Sequence, residues 1–120
     1  MSFEELAILD TEQLNSLKEL NEPGESDLVA ELVEIYINQS PQTLNELKTS
    51  IASKDVVQTE KLAHKLKGSS ANLGALRVCS ICESMEEKAR LGNLDYSTQN
   101  IENLEREHKS LVEVLARDWK

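Results

Sequence analysis

Apolar residues recur along this chain at three- and four-residue steps, the period of helices with one buried stripe. A short helix is predicted after Asp10 as N-cap, through Leu14 and Leu17 to about Leu20, and Asn21-Glu22-Pro23-Gly24 stops it. Ser26 or Asp27 can cap the next, which carries Leu28, Leu32, Ile35, Tyr36 and Gln39 at helical spacing. Pro41 kinks or restarts it; Leu44, Leu47 and Ile51 continue the pattern, so one bent helix over about 27–52 is expected. A third helix covers about Lys54–Leu73 and ends at Gly74. The fourth covers about Ala75–Leu91, stopped by Gly92-Asn93, and Ser97 or Thr98 opens the last. There Glu102/Arg106, Glu105/Lys109 and Glu113/Arg117 stand in the favoured Glu-first i,i+4 order.

Long amphipathic helices with short connections predict an all-α, up-down-up-down four-helix bundle with a short additional N-terminal helix as a cap. Composition agrees: 120 residues are 39% hydrophobic, enough for one small core, with only four Gly and two Pro for turns. One domain over 1–120 is expected, with its bundle core at about 27–118 and the short helix at about 10–20.

Charge narrows the partners. The net charge is −9, and residues 1–34 carry all of it, with ten acids against Lys18. Phosphate-backbone binding needs clustered cations, so a nucleic-acid partner is not expected. No apolar run approaches the roughly 20 residues of a membrane span, and the start Met1-Ser2-Phe3-Glu4-Glu5 lacks a secretory n-region. A cytoplasmic protein without membrane partners is predicted. The acidic third either confers solubility or helps form a docking surface. Cys79-Ser80-Ile81-Cys82 has neither the strand-to-helix turn of a redox pair nor a second zinc-ligand pair; both thiols are read as buried beside Val78, Met85 and Ala89.

The two histidines read oppositely. At about 100° per residue, Thr59, Leu62, Leu66, Ser69 and Leu73 share the core-facing sector of the third helix, while His64 lies about 200° from Leu62 and faces solvent. His108 falls within the stripe of Ile101, Leu104, Leu111, Val112 and Leu115, as a hydrogen-bonded core residue. Around His64, Gly68 and Ala71 strip side chains from one flank, although mid-helix glycine costs roughly 0.5–1 kcal/mol against alanine. Lys67 puts an ammonium within reach of anything attached to the ring, and Lys61 and Lys65 add positive charge nearby. A convex face offers no oxyanion hole and no converging metal ligands. A phosphoryl group asks only for an accessible nitrogen and a cation to steady its oxygens.

His64-Lys65-Leu66-Lys67-Gly68-Ser69-Ser70-Ala71-Asn72-Leu73-Gly74 resembles the signature of histidine-containing phosphotransfer (HPt) domains, His-x-Leu-Lys-Gly-Ser followed by an aliphatic residue and a glycine. The likeness extends over about residues 27–118, Pro41 included. It implies that His64 accepts the phosphoryl group, Lys67 stabilises it, Gly68 gives access and Ser69 caps or supports the site. Family members often set a polar side chain of the next helix near the histidine. Glu83 or Glu86 could take that place, and a carboxylate would repel phosphate, so the position stays open.

The resemblance implies a phosphorelay carrier. The chain has no glycine-rich phosphate loop, so no ATP-dependent kinase activity of its own is expected, and a convex site served by docking partners suits a monomer. Its partners would be receiver domains of hybrid histidine kinases and response regulators. Such a carrier has no cofactor, the Mg²⁺ being supplied by the partner receiver. The alternative is a non-catalytic helical adaptor that binds such domains through the same face.

Overall fold

The computed structural model describes residues 2–24 and 27–120 and places a 3-10 turn, Phe3–Glu5, ahead of five helices. These are α1 (Thr11–Lys18), α2 (Leu28–Ala52), α3 (Val56–Asn72), α4 (Leu76–Arg90) and α5 (Ser97–Asp118). No strand occurs among the described residues. The caps are local chemistry. Asp10 accepts from the Gln13 amide at 3.2 Å, Asp27 from Val29 and Ala30 at 3.0 and 3.2 Å, and Asp55 from Gln58 at 3.0 Å. Ser26, the other candidate cap of α2, lies outside the described residues.

The links 53–55 and 73–75 are too short for anything except antiparallel neighbours, so α2 to α5 run up-down-up-down. Contacts close a ring of α2–α3, α3–α4, α4–α5 and α5–α2. Leu47 of α2, Leu66 of α3, Val78 and Cys82 of α4, and Leu104, Leu111 and Leu115 of α5 fill its centre, each essentially inaccessible to water. Polar groups enter this core in pairs: Tyr36 Oη with Ser70 Oγ at 2.8 Å, Ser50 with Thr59 at 2.8 Å, Ser40 Oγ with His108 Nε2 at 2.6 Å. No buried side-chain nitrogen or oxygen among the described residues lacks a partner. No helix among them is long and apolar enough to cross a membrane.

The N-terminal segment seals the α3–α4 end. Gln13 Nε2 donates to the Ala71 and Asn72 carbonyls at 2.7 and 3.1 Å, joining the Gly74 N–H that already meets Ala71 O at 3.0 Å. Asp10 N–H donates to Gly74 O at 2.7 Å. Gly74 is fixed twice: its φ is +69°, and a Cβ would stand 3.0 Å from that of Asp10.

α2 departs from the predicted stripe. Val29, Val33, Tyr36 and Ser40 enter the core, whereas Leu32 is half-buried, Ile35 is 51% exposed and Gln39 is exposed. Apolar residues cover more than half the circumference of this helix, so two overlapping stripes compete, and packing against α3 and α5 selects one. The displaced residues line a groove between α2 and α3 with Thr43, Lys65, Ser69 and Asn72. Pro41 sits on the exposed side and α2 runs through it without a break. Ser69 is likewise exposed, and Ser70 takes the core place through its bond to Tyr36. None of the three Glu-first pairs on α5 is joined. Arg106 reaches Asn103 and Glu107, Arg117 reaches Asp118, and Glu105 pairs with Lys48 of α2, because exposed side chains take the nearest partner at little cost.

Candidate functional site

The exposed ridge of α3 carries His64, Lys65, Gly68 and Ser69. On one side lies the groove against α2; on the other is a shallow hollow against α4, lined by Glu60, Lys61, His64, Glu86 and Arg90. The His64 side chain is 69% exposed, as its angular position predicts. Glu86 projects from α4 beneath it, and that side chain is 5% exposed.

This one carboxylate gathers three groups. His64 Nδ1 is 2.6 Å from Oε2, Lys67 Nζ donates to Oε1 at 2.5 Å, and an Arg90 guanidinium nitrogen lies 3.6 Å from Oε2. The Lys67 bond outweighs burial and holds the Glu86 carboxyl below its ordinary pKa, with His64 adding in the same direction. The same bond holds Lys67 above the usual lysine value. The pair is therefore ionised at neutral pH. An ionised carboxylate only accepts, so Nδ1 must carry the proton. In neutral imidazole the lone pair then resides on Nε2, which has no partner among the described residues. Geometry thus selects a tautomer and leaves the unprotonated nitrogen open to solvent.

Gly68 stands one turn beyond His64, and a Cβ there would meet nothing within 4 Å. Packing does not require this glycine. Lys67 is half-buried, and its ammonium, expected within reach of the ring, is held by Glu86. Ser69 is not brought to the imidazole: its hydroxyl donates to the Leu66 carbonyl at 3.2 Å and its side chain borders the α2–α3 groove. Glu83 is exposed, and of the two candidate glutamates Glu86 reaches the site. The signal was in the sequence, since Glu86 falls within the stripe of Cys82, Met85 and Ala89, where an acid needs a reason.

The thiols are no competing nucleophiles. Cys82 is buried, Cys79 only half-buried, and burial raises both, that of Cys79 to about 11. His108 is buried against Ser40, and burial holds its ring below the ordinary value.

The family model described as Hpt domain matches residues 31–115. Histidine-containing phosphotransfer protein 5 of Arabidopsis thaliana is 30% identical over 102 residues, covering 82% of this chain, which spans 65% of that relative's length. The crystal structure of histidine-containing phosphotransfer protein B from Pseudomonas aeruginosa PAO1 superposes with a TM-score of 0.85 at 30% identity, covering 92% of this chain and 93% of the other. The histidine-containing phosphotransfer protein MtHPt2 of Medicago truncatula gives 0.80 at 27% identity, covering 92% of this chain and 76% of the other.

Proposed function

The chain belongs to the Hpt domain family, and from that premise we propose that it is a phosphorelay carrier in which His64 takes a phosphoryl group from a receiver-domain phosphoaspartate and gives it to the aspartate of another receiver. The observation that carries the assignment to His64 is the pairing of an exposed imidazole with a buried carboxylate on its Nδ1. The Nε2 lone pair attacks phosphorus in line, the bond from phosphorus to the aspartyl oxygen breaks, and the aspartate leaves with the electron pair. Nδ1 keeps its proton, so the ring becomes a phosphoimidazolium whose positive charge faces the Glu86 carboxylate. Lys67, on the same carboxylate, is close enough in sequence and space to turn its ammonium toward the phosphoryl oxygens. Gly68 leaves room for the reacting oxygens. Ser69 contributes to the rim of the groove, a supporting role at most.

The carrier holds no cofactor in this proposal; Mg²⁺ belongs to the acidic site of the receiver. The receiver docks over the ridge and into the groove with Leu32 and the exposed Ile35, while Lys61 and Lys65 attract its acidic face. One receiver at a time on a convex site suits a cytoplasmic monomer that binds neither nucleic acid nor membrane. An adaptor that only binds would have no use for a carboxylate buried behind the imidazole.

The test uses receiver domains charged from acetyl phosphate and mixed with the chain. Acid-labile, base-stable label should appear on the wild type, and His64→Gln should abolish it with an unchanged helical spectrum, since that side chain is largely in water. A His64→Gln chain that takes label at the wild-type rate overturns the site; a wild type that binds receivers and takes none is an adaptor.

A further inference from the structure

Glu86 is buried, yet it faces three cationic or proton-bearing groups when one would neutralise it. In the resting site Lys67 holds Oε1. If Lys67 turns to an incoming phosphoryl group before the bond to Nε2 forms, and so before the ring takes positive charge, the carboxylate loses its full counter-charge in a place where water reaches it poorly, and an unpaired buried charge is costly. Arg90 stands where a replacement would be needed. It lies one helical turn beyond Glu86 on α4, with a guanidinium nitrogen 3.6 Å from Oε2, just outside hydrogen-bond range. Its Nε is 3.4 Å from Glu60 Oε1 of α3, which keeps the head beside the site, and its side chain is 56% exposed, so no packing blocks a short move toward Oε2.

We propose that Arg90 is a positioning residue that takes over Glu86 when Lys67 turns to the incoming phosphoryl group, before the ring becomes cationic, a role that rests on His64 being the phosphoacceptor. Arg90 then acts through the carboxylate and never touches the phosphoryl oxygens. Without it, Lys67 is the only full cation on Glu86 and is held there more tightly.

Potassium phosphoramidate tests this without a docking partner, because Nε2 attacks its phosphorus and ammonia leaves. Label on His64 of the full chain is followed by ³¹P NMR for the wild type, Arg90→Gln, Arg90→Lys, Glu86→Gln and the Glu86→Gln/Arg90→Gln double variant. Arg90→Gln should slow labelling severalfold, and Arg90→Lys should recover most of the rate. In the Glu86→Gln background the Arg90 effect should vanish, because no carboxylate remains to hold Lys67. The Lys67 ammonium, read by NMR of its side chain, should titrate at higher pH in Arg90→Gln than in the wild type. Arg90→Gln labelling at the wild-type rate, or an equal loss with and without Glu86, overturns the role. A wild type that takes no label at His64 overturns the phosphoacceptor reading instead, and this role with it.

Discussion

A hydrogen is all that Gly68 presents on the open side of α3 beside His64, and nothing in the fold asks for so little. Its backbone is helical, and the space a methyl group would enter is solvent. Gly68→Ala should therefore raise stability by about 0.5–1 kcal/mol, the usual helix-interior difference, while slowing phosphotransfer. Denaturant melts and label-transfer rates on the same preparations separate the two; a destabilised variant with normal transfer would contradict the open space seen here. At this scale the sequence was legible where geometry is local. The outward turn of His64 followed from helical angle alone. The state of Lys67 did not, because Glu86 lies nineteen residues away on another helix and burial decides which of two glutamates reaches it. Ser69 misled for a related reason: adjacent serines fit the edge of the same sector, and only the Tyr36 hydroxyl distinguishes Ser70.

Between elements, the bond of Ser40 on α2 to His108 on α5 is a pH-sensitive joint. Burial keeps the His108 ring below its ordinary pKa of 6.5, so the native state binds fewer protons than the unfolded chain at mildly acid pH. The sign follows: its contribution is present in full above about 6.5 and is lost as pH falls from there through the depressed native value. His108→Asn, which can still meet the Ser40 hydroxyl, should lose less stability than the wild type between about pH 7 and pH 5. Thermal midpoints across that range check it, and parallel curves would show that another group titrates. The burial of His108 was readable from its place in the α5 stripe. Its partner was not, since the periodicity of α2 allowed two stripes and the docking of α3 and α5 chose the one with Ser40.

Across the whole molecule, an ordered N-terminal segment is bound to a bundle that extends 49 × 27 × 21 Å. Arg77 of α4 is the main tie. Its guanidinium donates to the Leu6 and Glu4 carbonyls at 2.8 and 3.3 Å and to the buried Glu107 carboxylate at 3.3 Å. Arg77→Ala should lower stability by about 1–3 kcal/mol, the range for leaving one buried polar group, here the Glu107 carboxylate, without its partner, and speed amide exchange around Leu6. Calorimetry and hydrogen exchange check it; unchanged exchange there would mean that Asp10 and Gln13 hold the segment alone. Phosphotransfer should be nearly unaffected, because Arg77 lines neither the groove nor the hollow beside His64.

The amino-acid order alone decided the number of helices, the Asp10 cap of α1, the glycine stops of α3 and α4, and the outward face of His64, because each depends on neighbours within one or two turns. Tertiary structure decided which stripe of α2 is buried, which glutamate meets the imidazole, and that Lys67 and Arg90 converge on it. Those outcomes depend on how helices distant in sequence exclude water from one another, and a carboxylate acquires its strongest partners only where that exclusion puts them.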